Sequence, residues 1–195
     1  MPEHGVYLVA GLGNPGPEYV ETRHNAGFMV IDTLAAAFKV PIRRRKFDVL
    51  YGRGTIVGVE VMLAKPQTYM NRSGPPLRAL ADYFRIQRQA MLIVHDDIDL
   101  AFQRLKIKEK GGDGGHKGIR SIMDAFGGGE FARLRIGIGR SASDTTDVVD
   151  HVLSEFDQDQ KKMLGEFLQR ASEAIVTILT RGTKDGMNRY NQNPS

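Results

Sequence analysis

The segment Gly11–Phe28, GLGNPGPEYVETRHNAGF, sets a glycine-rich turn ahead of His24 and places His24 ahead of a helix start. Three further segments offer polar groups at the ends of expected elements: PQTYMNRSG at 66–74 with Asn71, VHDDID at 94–99, and GGDGGHKG at 111–118. Histidine is the side chain best suited to general-base work near neutral pH. It does that work when a partner fixes its tautomer and steadies the imidazolium, which a buried carboxylate achieves. Asparagine amides can donate to a developing oxyanion or hold a substrate amide. His24, an aspartate from 96–99, Asn14 and Asn71 together would therefore make a hydrolytic site. With no cysteine and no G-x-S-x-G elbow, attack by histidine-activated water fits better than a covalent intermediate.

Each residue also has a plainer use. His24 could cap a helix, Asn14 and Asn71 could satisfy turn backbone, and His116 could shape its loop or contact phosphate. His95, Asp96, Asp97 and Asp99 are metal-ligand types. Strand alternation sends Asp96 to the face opposite Asp97 and Asp99, so no compact metal site is expected.

Gly11, Gly13 and Gly16 also spell the dinucleotide fingerprint G-x-G-x-x-G. A dinucleotide site needs its phosphate-binding helix to begin inside the glycines. Here Asn14-Pro15-Gly16-Pro17 occupies that position, Pro17 biases Gly16 away from helical geometry, and the apolar helical period starts only near Ala26. The glycines are read as a tight turn that exposes Asn14, and a nucleotide-dependent oxidoreductase is set aside.

The elements that must position these groups follow from periodicity. Strands are expected at 6–11, 48–57, 59–64, 91–95, 103–108 and 134–139, and helices at 26–38 (with Asn25 as N-cap), after Gly74-Pro-Pro76, at 116–126 and at about 157–181, the last stopped by Gly182. The pair 48–57 and 59–64 is too close for a crossover helix and must be antiparallel. The class is α/β: a single domain over 1–195 with a twisted mixed β-sheet flanked by helices on both faces. Gly139–Asp147 reads as a loop and about 190–195 as a flexible tail.

Hydrophobic residues make up 41% and charged residues 26% of the 195, an ordinary balance for a soluble globular chain. No apolar run is long enough to span a bilayer, and the first residues lack the pattern of a secretory signal. The absence of cysteine excludes disulfides and thiolate chemistry, and a cytoplasmic setting is the expectation. Net charge is +4. Its distribution matters more: Arg43-Arg-Arg-Lys46 is a basic run, and Arg104, Lys106, Lys108 and Lys110 would alternate onto one strand face, a row suited to a phosphodiester backbone or to edge protection.

Taken together, GLGNPGPEYVETRHNAGF, KPQTYMNRSG, VHDDIDL, GGDGGHKGI and RLRIGIGR resemble, in order and spacing, the bacterial-type peptidyl-tRNA hydrolase family over nearly the whole chain. The resemblance implies a monomeric, cofactor-free, metal-free enzyme with no obligate protein partner and no membrane association. Such an enzyme cleaves the ester between a peptide and the 3′-terminal ribose of its tRNA, recycling peptidyl-tRNA. It implies His24 as catalytic base and Asp96 as the carboxylate orienting it. Asn14 and Asn71 would position substrate and water, and Tyr19, Tyr69, His116 and Lys117 complete the expected substrate-binding set. Lys106, Lys108 and Arg135 would meet tRNA phosphate. One departure stands out: the family usually carries asparagine where this chain has Lys117, and lysine cannot accept a hydrogen bond. Activity with altered rate or acceptor-end contacts is the expectation. The alternative is a non-catalytic RNA-binding relative acting in RNA processing.

Overall fold

Met91-Leu-Ile-Val94 is buried at every position, as a strand covered by helices on both faces must be. In the computed structural model, which describes residues 5–141 and 147–192, seven strands form one sheet. They are β1 (Tyr7–Gly11), β2 (Arg44–Lys46), β3 (Val49–Ile56), β4 (Val59–Pro66), β5 (Met91–Asp97), β6 (Leu105–Lys108) and β7 (Ala132–Gly137), in the order β2-β3-β4-β1-β5-β7-β6. β4, β1, β5 and β7 are mutually parallel, while β2, β3 and β6 pair antiparallel. The antiparallel pairing of β3 with β4 is as expected.

Six α-helices accompany the sheet among the described residues: α1 (Ala26–Ala37), α2 (Gly74–Tyr83), α3 (Lys117–Phe126), α4 (Val148–Leu153), α5 (Gln158–Arg181) and α6 (Thr183–Tyr190). One core joins the α1 and α5 stripes to Val9, Leu63, Val94 and Leu134. The other packs α2 and α3 on Leu8, Met62, Met91 and Ile93. The single-domain α/β class with helices on both faces therefore holds. No helix among the described residues is long and apolar enough to cross a membrane.

The glycines of the opening block serve packing. A Cβ on Gly11 would collide with the Gly27 carbonyl, one on Gly27 with the Val94 carbonyl, and one on Gly13 with the Phe28 ring. Gly16 has φ 120° and is followed by a single 3-10 turn, Pro17–Tyr19. These glycines bring α1 close against β1 and leave no helix N-terminus to receive a pyrophosphate.

Several elements differ from the sequence reading. Arg44–Lys46 of the basic run forms a short edge strand, β2, and Val148–Leu153 and Thr183–Tyr190 are helices. β6 covers only Leu105–Lys108, so the cationic face is carried by Lys106 and Lys108, with Arg104 and Lys110 outside the strand. The first residues of the tail expected from about 190 are packed against the fold. Tyr190 is buried, and the Asn191 side chain accepts from Ile107 N at 2.7 Å and donates to Ile107 O at 3.0 Å, extending the edge of β6. Residues 193–195, and 142–146 of the expected loop, lie outside the described residues.

Candidate active site

β1 and β5 are neighbours and end on the same side of the sheet, and the chemistry-bearing side chains gather there. The 3-10 turn Arg23–Asn25 precedes α1 and carries His24. The β5 alternation turns Asp96 toward this turn, while Asp97 ion-pairs with Arg135 on the other face and Asp99 with Arg140. His24 Nδ1 lies 2.9 Å from each Asp96 carboxylate oxygen. With Nδ1–H donated to Asp96, the free lone pair of the ring is on Nε2.

A second histidine reaches the same carboxylate. His116 precedes α3 as its N-cap, and its Nδ1 accepts from Gly118 N at 3.1 Å and Ile119 N at 3.2 Å. Two backbone donors on Nδ1 require the neutral ring to carry its hydrogen on Nε2, which donates to Asp96 Oδ1 at 2.8 Å. The sequence reading, which gave His116 a loop-shaping, phosphate-contacting or substrate-binding use, did not include this bond. Only the N-cap position before an apolar helical stripe hints at it.

His24, Asp96 and His116 bring three possible ligand atoms within 4.8 Å of one another. The His116 tautomer argues against a metal there: ligation through Nε2 would move the ring hydrogen onto Nδ1, against two N–H donors. The donor set fits a hydrogen-bonded relay better than a coordination shell.

Electrostatics follow from burial. Removal from water pushes the Asp96 pKa up, yet His24 and His116 together hold it far below the ordinary carboxylate range, so it stays ionised. Burial works to lower the His24 pKa, but the charge and hydrogen bond of Asp96 outweigh it against an opposing contribution from Lys117, and the net shift is upward. His95, fully enclosed, is pushed well below the usual histidine value by burial and by His116, and is neutral. Its Nδ1–H donates to the Asp96 carbonyl at 2.7 Å.

Asn14 is buried and held on three sides. Its N–H donates to Asn25 Oδ1 at 2.9 Å, its carbonyl accepts from Asn25 Nδ2 at 3.0 Å, and its own Oδ1 accepts from Met70 N at 2.7 Å. The Asn14 amide oxygen is thus occupied, which leaves its NH2 to face the cleft. Asn25 occupies the expected N-cap position but makes no cap bond; its side chain instead mimics a backbone partner for Asn14. This interaction was not legible from the N-cap pattern.

Asn14, His24, His95, Asp96 and His116 line a cleft of about 500 Å³ together with Tyr19, Tyr69, Asn71, Lys117, Lys108 and Arg135. Lys106 is outside the cleft, across the β6–β7 ladder from Arg135. The cations crowd one another: Arg135, then partial burial, Lys106 and Arg133, hold the Lys108 pKa below its ordinary value. Arg133, missed in the sequence, is buried and donates to the Gly111, Gly112 and Gly129 carbonyls, fixing the glycine-rich loop. An apolar part of the lining comes from Val148, Val149, Val152 and Leu153 of α4. Arg23 anchors it, donating to Ser154 Oγ at 2.7 Å, to the Glu155 carbonyl and to Gln160 Oε1 at 2.8 Å.

A family model described as Peptidyl-tRNA hydrolase matches residues 8–195. Among similar proteins, one named peptidyl-tRNA hydrolase from Clostridium novyi (strain NT) is 40% identical over 186 residues, covering 95% of this chain and 98% of its own. Another of that name from Carboxydothermus hydrogenoformans is 44% identical over 187 residues, covering 96% and 99%. The crystal structure of peptidyl-tRNA hydrolase from Acinetobacter baumannii superposes with TM-score 0.89 at 38% identity, covering 97% of each chain. A complex of peptidyl-tRNA hydrolase with N-propanol gives TM-score 0.90 at 35% identity, covering 99% of this chain and 100% of that one.

Proposed function

The chain belongs to the peptidyl-tRNA hydrolase family, and from that premise we propose that His24, oriented by Asp96, activates the water that cleaves the peptide–tRNA ester. The reaction is hydrolysis of peptidyl-tRNA, and tRNA is the substrate's nucleic-acid part. The observation that carries the residue assignment is the pair of 2.9 Å approaches of His24 Nδ1 to Asp96, which leaves Nε2 as the base.

His24 Nε2 takes a proton from water, and the hydroxide adds to the ester carbonyl carbon. Ionised Asp96 steadies the imidazolium so formed. The tetrahedral oxyanion lies within reach of donors at the cleft, for which the oriented NH2 of Asn14 is the best placed. Collapse breaks the bond to the ribose oxygen, and the imidazolium returns its proton to that leaving oxygen. Asn71 and Tyr69, exposed at the rim, Tyr19 beside them, and the α4 wall receive the peptide. Lys117 supplies a cation to the oxyanion or to the tRNA end, in place of the family's usual asparagine. Lys108, Arg135 and, farther out, Lys106 take tRNA phosphate. The enzyme acts as a monomer without an obligate protein partner, in the cytoplasm where tRNA is used.

Incubation with N-blocked aminoacyl-tRNA in EDTA tests this reading. Ester cleavage by the wild type and its loss in His24→Ala support it. tRNA binding without cleavage would instead indicate a non-catalytic RNA-binding relative. Cleavage unaffected by His24→Ala would sink the assignment of the base.

A further inference from the structure

The basic run Arg43–Lys46 plays no part in the chemistry above, yet the fold treats it unusually. Its last three residues, Arg44–Lys46, form β2, the outer strand of the sheet, and Phe47 and Asp48 turn the chain back into β3. Both turn residues have left-handed backbone, φ 52° at Phe47 and 55° at Asp48, the two-residue hairpin geometry that asparagine and glycine normally supply. An aromatic residue in that conformation is strained, and here the strain holds an apolar ring in solvent. Phe47 is 43% exposed and Tyr83, at the end of α2, 58% exposed. The two rings meet edge-on with centroids 5.8 Å apart, and the Lys46 ammonium lies 4.9 Å from one centroid and 4.1 Å from the other. Arg45 pairs with Asp48, while Arg43 and Arg44 are exposed with no ion pair among the described residues.

The hairpin tip stands at the same end of the sheet as the cleft. Val49 is in register with Pro66, where β4 ends, and Gln67 N donates to the Asp48 carbonyl at 2.7 Å. From Gln67 the chain runs directly to Tyr69 and Asn71 at the cleft rim. β2 lies three strands from β1 on one side, about 14 Å, and β6 with Lys106 and Lys108 lies three strands away on the other.

We propose that Arg43–Lys46 together with the Phe47 and Tyr83 rings forms a second RNA-contacting surface. It takes phosphates and an unstacked base of the substrate's tRNA on the flank opposite Lys108 and Arg135. Cations that track a backbone beside exposed aromatic faces are the combination that holds unpaired nucleotides. A peptide of varied sequence would gain nothing from the guanidinium groups, so RNA is the occupant. The inference rests on tRNA being the substrate.

Two variants separate the contributions: Arg43→Ser with Arg44→Ser, and Phe47→Ala with Tyr83→Ala. All four positions are exposed, and thermal unfolding checks that the fold is kept. Binding of deacylated tRNA is followed by fluorescence anisotropy against salt. Cleavage is followed on N-acetyl-aminoacyl-tRNA and on an N-acetyl-aminoacyl ester of adenosine, which has the bond but no RNA strand. The arginine variant should bind tRNA on the order of tenfold more weakly, with a salt slope lowered by about two. The aromatic variant should weaken binding roughly five- to a hundredfold with the slope kept. KM on the tRNA ester should rise in both, with kcat and cleavage of the adenosine ester unchanged. Unchanged tRNA affinity in both variants overturns the proposal, as do equal losses on the adenosine ester. An effect that grows with peptide length while deacylated tRNA binds normally assigns the surface to peptide and also overturns it. Failure of the wild type to cleave either ester would count against the hydrolase mechanism, while the tRNA titration would still judge this surface.

Discussion

His116 Nε2 donates to Asp96 Oδ1 at 2.8 Å because the α3 N-terminus occupies the other nitrogen of the ring. The carboxylate therefore serves two N–H donors at once, and that fixes what a neutral replacement would do. In Asp96→Asn the single amide oxygen goes to His116, whose tautomer cannot adapt. The NH2 then faces His24 Nδ1, forces the hydrogen of that ring onto Nε2 and removes the base. The expected loss in kcat is on the order of a thousandfold or more. Adding His116→Ala frees the amide to turn its oxygen toward His24, so the double variant should recover part of the rate. Single-turnover cleavage measures both, and a double variant slower than Asp96→Asn would refute the tautomer argument.

The pH dependence follows from the same pair. His24 must be neutral to accept a proton, so the rate rises with pH through its folded pKa. Asp96 holds that pKa above the ordinary histidine value despite burial. The acidic limb of kcat/KM should therefore lie above pH ~6.5. Lys117 works in the opposite direction, so Lys117→Met should move the limb to higher pH and Lys117→Glu further still. A limb that stays in place in both variants would show that His24 does not feel this charge.

Parts of this site could be read from residue types alone, and parts depend on contacts that spacing does not encode. His24 was legible as a candidate base and the aspartates of 96–99 as its candidate partners, while the choice of Asp96 among them came from the family resemblance. The central parallel strands were legible from apolar runs, and α5 from its stripe. α4 was not, since six residues are under two turns. In α6 Gly186 masks the helical pattern; it is present because a Cβ there would press on Ile107 and Ile178 at 3.0 Å. Asn25 was assigned to a cap because that is the common use of asparagine before a helix, whereas its bonds run to Asn14, eleven residues back. Long-range polar contacts of this kind, like Arg133 to the glycine loop, leave no periodic trace.

Asn14 is held so that only its NH2 is free. Asn14→Asp keeps the acceptor for Met70 N and replaces the donor with a carboxylate facing the oxyanion. The fold should survive, while kcat falls on the order of a hundred- to a thousandfold. Retained thermal stability with lost turnover is the expected signature. Equal activity would mean that another group stabilises the oxyanion.

Lys108 and Arg135 line the cleft in a cluster that lowers the Lys108 pKa, chiefly through Arg135. Asp97 offsets part of this crowding, and a phosphate would offset more of it, so the cluster suits an anionic ligand. Lys108→Met should raise KM for N-acetyl-aminoacyl-tRNA and reduce the salt slope by about one, with kcat little changed. Arg135→Gln should do the same and also release Asp97, its ion-pair partner; that free carboxylate repels phosphate, so its KM effect should exceed that of Lys108→Met. Lys106 is across the ladder and outside the cleft, so Lys106→Met should give the smallest effect of the three. Steady-state kinetics at several salt concentrations measure the order. A kcat loss with unchanged KM would move these residues from tRNA binding to the chemical step.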